Sequence, residues 1–210
     1  MHLRERQRFT IYASTRVLDV LAANPIFGVL AEDCVRRQAV PLGQMFEPRH
    51  VDGGASGLAV ELFDVPGKVA LYLETGDSPD QLAGKPGDTV GVEVRAGERR
   101  LLYIPGCAQM TDGLKQRLAG ASVVLFDGTL WQDDEMIRLG LGPKTGQRMG
   151  HMSVSGPDGT IASFRDIPVK RKILIHINNS NPILVDGSTE RGLLAKAGWE
   201  VAHDGMEVSP

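Results

Sequence analysis

Apolar residues along this chain come in short, β-branched runs separated by glycine, proline and charge. That is the pattern of buried strands joined by helices and tight loops. Phe9–Ala13 (Phe-Thr-Ile-Tyr-Ala) predicts a strand, and a helix over about Thr15–Ala23 follows it. Ser14 is its expected cap, Val17, Leu18 and Leu21 form its apolar face, and Asn24-Pro25 stops it. Residues 58–65 and 69–73 read as neighbouring strands broken at Pro66-Gly67. The stretch 74–88, rich in Gly, Pro and Asp, reads as a mobile surface loop. Residues 89–95 and 99–104 predict a hairpin around Ala96-Gly97-Glu98. A short amphipathic helix is expected over 111–119, capped by Thr111 and ended by Gly120, with Leu114 and Leu118 one turn apart.

The second half alternates strands with helices. Val123-Val124-Leu125-Phe126 is a buried run that delivers Asp127 just ahead of Gly128 and Thr129. Residues 133–139 predict a helical turn with acidic groups at its N-terminus, where the helix dipole favours them. Residues 140–159 form a glycine-rich loop that carries His151. Ile173-Leu174-Ile175 is a second buried strand, and it ends at His176. Ser188 caps a helix over 188–197 with Glu190 in its first turn and Gly198 at its end, and 199–202 supplies a last strand. Antiparallel pairing early and helix-alternating strands later suit a layered α/β sandwich better than an all-parallel sheet.

A chain of 210 residues buries one substantial core, so a single domain over 1–210 is expected. A formal net charge of −3 gives no electrostatic reason for nucleic acid or an anionic membrane as partner, and neither is expected. The basic runs Arg36-Arg37, Arg99-Arg100 and Lys170-Arg171-Lys172 each flank a predicted strand and read as solvated strand ends. No apolar run approaches the roughly 20 residues that span a bilayer. The opening Met-His-Leu-Arg-Glu-Arg-Gln-Arg lacks the apolar stretch of a signal peptide. Cys34 and Cys107 lie too far apart for a metal knuckle, and two cysteines make no disulfide framework. A soluble, reduced, cytoplasmic protein is expected.

In open α/β sheets, ligand and metal sites collect beyond the carboxyl ends of strands. Asp127 and His176 both occupy such ends. Asp127 reads either as a carboxylate capping the Gly128 and Thr129 amides or as a metal ligand aimed by a rigid strand. His176 reads either as a core histidine satisfied by backbone or as a ligand. Asn178, Asn179, Ser180 and Asn181 after it suit either turn chemistry or the orientation of an imidazole and polar substrate groups. His151 follows Gly150 in a loop where backbone can approach a ligand closely, or is simply an exposed loop histidine. His203 precedes an Asp-Gly turn, and His2 and His50 carry no pattern. Asp133 and Asp134 read as helix N-terminal charges rather than an acid/base pair. The chain contains no phosphate-binding glycine loop and no nucleophile elbow.

Several segments resemble a known family. They are Val-Pro-Gly-Lys-Val (65–69), Tyr-Ile-Pro-Gly-Cys (103–107), Leu-Phe-Asp-Gly-Thr (125–129) and Asp-Asp-Glu-Met-Ile (133–137). Gly-Pro-Lys-Thr-Gly (142–146), Met-Gly-His (149–151), Ile-His-Ile-Asn-Asn-Ser-Asn-Pro (175–182) and Ala-His-Asp-Gly-Met-Glu (202–207) belong with them. In order, from about Leu3 to the C-terminus, they closely resemble the coenzyme PQQ synthesis protein B family of the metallo-β-lactamase fold superfamily.

The resemblance implies a four-layer αββα sandwich and a role in making pyrroloquinoline quinone. Two activities attach to the family. One is iron-dependent, oxygen-using hydroxylation of the tyrosine ring of a glutamate–tyrosine-derived precursor. The other is non-catalytic carriage of the quinone or its precursor toward the periplasm. A metal-dependent hydrolase of the superfamily's usual kind is a third reading. By resemblance, Asp127 and His176 are metal ligands and His151 is a catalytic histidine near the substrate. From the residues themselves, Asn178, Asn179, Asn181 and His203 are the expected substrate-binding groups. Ferrous iron is the implied cofactor, and the small-molecule precursor or quinone the partner, with other PQQ-synthesis proteins or a second copy also fitting. Family members carry an N-terminal cysteine cluster for structural zinc and an Asp-His motif with further metal ligands. This sequence shows neither, so an N-terminally truncated sandwich is expected, without the structural zinc and without a complete metal site from this chain alone.

Overall fold

The computed structural model describes residues 7–70, 74, 76 and 84–210. β1 (Phe9–Ala13) leads into α1 (Thr15–Ala23), whose first turn is capped by Ser14 accepting from the Val17 N–H. A 3₁₀ turn over Pro25–Val29 returns the chain to β2 (Val35–Ala39), which pairs with β1 in parallel as a two-stranded sheet. Tyr12 of β1 stacks on Phe46, ring centroids 5.2 Å apart, and so ties this pair to the main sheet.

That sheet has seven strands in sequence order. β3 (Met45–Phe46), β4 (Ala59–Asp64), β5 (Val90–Ala96) and β6 (Arg99–Ile104) run antiparallel. β7 (Val123–Asp127), β8 (Arg171–Ile175) and β9 (Trp199–Val201) then continue parallel to β6. The switch requires crossover connections. α2 (Asp112–Leu118) links β6 to β7 with Thr111 as cap, and α6 (Thr189–Lys196), capped by Ser188, links β8 to β9. Three short helices lie between β7 and β8: α3 (Glu135–Arg138), α4 (Gly146–Met149) and α5 (Thr160–Ser163). The consequence for function is topological. The carboxyl ends of β6, β7, β8 and β9 share one edge of the sheet.

The core under that edge is apolar. Phe126 and Trp199 meet Phe164 edge-on, each with ring centroids 4.9 Å from it, and Leu102, Leu118, Leu174 and Leu194 are buried around them. Each such side chain stabilises by roughly 1.5–3 kcal/mol when fully buried, an upper figure because the unfolded chain is already partly collapsed. The antiparallel half carries a different device. Glu61 and Glu93 sit directly opposite each other on β4 and β5, a like-charge pair that would repel. Arg100 and Arg95 bond Glu93 at 2.8 and 2.7 Å, while Arg117 of α2 bridges both carboxylates at 2.9 and 2.7 Å and lies 4.4 Å over the Phe63 ring.

Some expectations fail locally. Arg36-Arg37 does not flank a strand but lies inside β2, with Arg37 turned back onto the Leu30 carbonyl. β1 pairs parallel, not antiparallel. Val69 and Ala70 belong to no strand, and the rest of that expected strand, 71–73, lies outside the described residues. The expected mobile loop at 74–88 falls largely outside them too, as do residues 1–6. Among the described residues no helix is long and apolar enough to cross a membrane.

Candidate functional site

Asp127 ends β7, fully buried. The next residue must be small: a Cβ on Gly128 would come 2.9 Å from the Leu174 Cβ, because the Gly128 N–H donates to the Ile175 carbonyl at 2.8 Å. Removing a carboxylate from water is costly unless its oxygens are bonded, and here they are. Oδ2 accepts from the Cys107 N–H at 2.9 Å, and Oδ1 from the Thr129 N–H at 3.1 Å and its hydroxyl at 2.6 Å. His151 Nδ1 lies 2.7 Å from Oδ2 and His176 Nδ1 3.8 Å from Oδ1. Burial alone would raise the Asp127 pKa, but the contacts with His151 and His176 outweigh it and hold the carboxyl below its usual range.

His176 follows β8, whose register sets Ile175 beside Asp127. Its φ of +53° is left-handed, and it is the only non-glycine among the described residues with positive φ. That turn swings the ring back over the strand ends, half exposed, where it stacks on His151 with centroids 5.1 Å apart. Its contact with Asp127 raises the imidazole pKa against the opposing effect of burial.

His151 is delivered differently. α4 starts at Thr145, whose hydroxyl accepts from the Arg148 N–H, and ends at Gly150 with φ +87°. Lys68 packs against Gly150 so closely that a Cβ there would lie 2.7 Å from its Cγ. Met152 then donates to the Cys107 carbonyl at 2.7 Å, pinning the segment to the loop after β6. His151, expected near a substrate, is therefore joined directly to Asp127.

Thr129 is the group that sequence reading missed. Its hydroxyl sits among all three, 2.6 Å from Asp127 Oδ1, 3.1 Å from His151 Nδ1 and 2.9 Å from His176 Nδ1. A threonine two residues past a strand-end aspartate was the available signal, because short hydroxyl side chains bond locally in turns. The ligand atoms of Asp127, His151 and His176 all lie within 4.8 Å of one another, the only such group of three among the described residues. Two imidazole nitrogens and one carboxylate fit a divalent transition metal.

The other expected site residues separate. Asn181 is buried, its amide donating to the Gly128 carbonyl at 2.9 Å and its oxygen accepting from the Ile183 N–H. Asn178 bonds the Thr129 carbonyl through its N–H and the Ser180 hydroxyl through its side chain. Both therefore lock loops together. Asn179 is exposed. His203 is exposed as well, bonds the Asp204 carbonyl and stands outside the cluster, in a small cleft with Arg191 and Met206. A larger cleft of about 1260 Å³ is lined by Gln109, Asp133, Met152 and Ser155 among others, and by none of the three clustered residues.

Residues 1–177 match the model of the β-lactamase superfamily domain. The chain is 54% identical over 207 residues to coenzyme PQQ synthesis protein B of Gluconacetobacter diazotrophicus, covering 99% of this chain and 67% of that protein. The protein of the same name in Xanthomonas axonopodis pv. citri is 50% identical over 209 residues, with 100% and 67% covered. Among solved structures, Zn(2+)-bound PqqB from Methylobacterium extorquens matches with a TM-score of 0.90 at 47% identity, over 99% of this chain and 67% of that one. Unliganded yeast PDE1, at 14% identity and a TM-score of 0.62 over 94% of this chain and 59% of its own, shares the fold alone. This chain spans about two thirds of the length of the curated relatives.

Proposed function

Because the chain belongs to the coenzyme PQQ synthesis protein B family, within the β-lactamase superfamily, we propose that it acts in the synthesis of pyrroloquinoline quinone. The reaction we assign is iron-dependent, oxygen-using hydroxylation of the tyrosine ring in a glutamate–tyrosine-derived precursor. One observation carries this reading: Asp127, His151 and His176 converge at the carboxyl edge of the sheet. Two histidines and one carboxylate are the donor set with which non-haem ferrous iron keeps positions open. These three residues would hold the metal, which supplies the oxygen and redox chemistry that side chains lack.

The remaining roles belong to the chain itself. The Cys107 N–H and Thr129 hydroxyl orient the Asp127 carboxylate. Asn178 and Asn181 fix the loop that carries His176. Asn179, exposed three residues past His176, is the group left to meet substrate beside the metal, while His203 offers a polar group in the separate cleft with Arg191 and Met206. A second reading starts from the metal named for the Methylobacterium extorquens relative, zinc, an ion without redox chemistry. In it the same donors hold zinc, and the protein carries the quinone or its precursor without turning it over.

The two readings part under one experiment. The protein is loaded anaerobically with Fe(II) or Zn(II), given the tyrosine-containing precursor, and exposed to oxygen. Hydroxylated product and oxygen uptake with Fe(II), both abolished in His176→Ala, support the hydroxylase. Precursor binding of equal strength with either metal, with no oxygen uptake, supports the carrier. Metal content in His151→Ala separates a ligand, which loses at least about 10-fold in affinity, from a substrate-side base, which keeps its metal.

A further inference from the structure

His176 holds a backbone conformation that is costly for any residue with a Cβ, and such strain persists only where surrounding bonds over-determine it. Those bonds come from one place. The segment from His176 to Asn181 is stitched onto the segment from Gly128 to Met136. Nearest the strand ends, the Asn178 N–H donates to the Thr129 carbonyl at 3.0 Å and the Asn181 amide to the Gly128 carbonyl at 2.9 Å. Farther out the stitching runs through side chains. Asn178 Nδ2 donates to Ser180 Oγ at 2.7 Å, and Ser180 Oγ donates in turn to Glu135 Oε1 at 2.6 Å. The other carboxylate oxygen, Oε2, accepts from the Trp131 N–H at 2.8 Å.

Glu135 is only 2% exposed, and its two carboxyl oxygens accept from neutral donors, the Trp131 N–H and the Ser180 hydroxyl. A polar side chain kept from water is costly unless its oxygens are bonded, so these two bonds are what holds it there. Helix α3, four residues long, gives no reason to bury it. The reason lies across the gap between the two segments, in the loop that begins at His176.

We infer that Glu135 is a positioning residue for His176. Through Ser180 and Asn178 it fixes the left-handed turn that presents the imidazole to Asp127. The inference rests on the reading of Asp127, His151 and His176 as a metal centre, and it adds a residue 41 positions earlier in the chain that touches none of the three.

The test compares Zn(II) affinity, measured by competition with a chromophoric chelator, across five variants, with thermal melts alongside. The ¹⁵N shifts of the His176 ring are recorded in the metal-free protein. Glu135→Ala and Ser180→Ala are expected to weaken Zn(II) binding about 10–100-fold and to shift the His176 ring signals. Glu135→Gln keeps an acceptor for the Trp131 N–H and a hydrogen-bonding partner for Ser180, and is expected to restore both readouts. Leu194→Ala, a core truncation on α6, lowers the melting temperature without weakening Zn(II). If Glu135→Ala fails to fold, Ser180→Ala carries the comparison. His176→Ala separates the two claims. Loss of Zn(II) affinity there, with unchanged affinity and ring signals in Ser180→Ala and Glu135→Ala, overturns the brace and leaves the metal centre standing. Undiminished affinity in His176→Ala overturns the metal centre itself.

Discussion

Two buried carboxylates in this molecule solve the same physical problem in opposite ways. Glu93, in the antiparallel half, is surrounded by Arg95, Arg100 and Arg117, cations that never lose their charge at accessible pH. Asp127, at the parallel edge, is met by two histidines, a hydroxyl and two backbone N–H groups. The pKa of each is held down although burial pushes it up. The difference lies in exchangeability. Guanidinium partners close the Glu93 network permanently, which serves stability. Imidazole nitrogens bind metals, as guanidinium groups do not, so the Asp127 network can trade its partners.

Substitution should break this comparison in two directions. Glu93→Ala leaves three arginines crowded without their shared countercharge. It should cost about 3 kcal/mol in urea melts, since removing one partner of a buried network strands the others. Metal affinity of the folded fraction should not change. Asp127→Asn should do the reverse, lowering metal affinity at least about 10-fold while costing less stability than Glu93→Ala. Equal loss of metal in both variants would mean that the two networks are one.

Acid and base should sharpen the contrast in metal-free protein. The Glu93 pKa is depressed in the fold, so its contribution is fully present above the unfolded value of about 4.3 and is lost as pH falls through the depressed value. The His176 pKa is raised, so its contribution is fully present below about 6.5 and is lost as pH rises through the raised value. Urea midpoints should therefore fall at the acid end in wild type but less in Glu93→Gln. The mild decline above neutrality should vanish in His176→Ala.

The smallest effect concerns strain. His176→Gly and His176→Ala both remove the ring, but only glycine tolerates φ +53° freely. The glycine variant should be the more stable by about 1 kcal/mol. Equal melting temperatures would show that the turn relaxes once the ring is gone.

The residues explain how far this comparison could be read in advance. Asp127 and His176 were legible as strand ends because four apolar residues and three apolar residues precede them. Helix caps at Ser14, Thr111 and Ser188 were legible because each hydroxyl stands within five residues ahead of its first apolar helical position, Val17, Leu114 and Leu193. β2 was not, since Val-Arg-Arg-Gln-Ala in a two-stranded sheet shows no apolar alternation. α4 and α5 are four residues each, too short for a helical period to register. The Glu135–Ser180 bond joins residues 45 apart, and no local pattern announces such a link. His151 reaches Asp127 through an irregular loop, so its neighbour could not be deduced from spacing.

Cys107 lends its backbone N–H to Asp127 while its thiol is buried and donates to the Gln109 carbonyl. Burial pushes that thiol up to about 12. Only the thiolate is a strong nucleophile and a ready target for oxidation, so at neutral pH almost none of the reactive form exists. The Cys107 sulfur is thus chemically quiet: it neither competes for metal nor offers an easy site for peroxide or alkylating reagents. A cysteine can sit beside a centre of this kind without becoming its weak point.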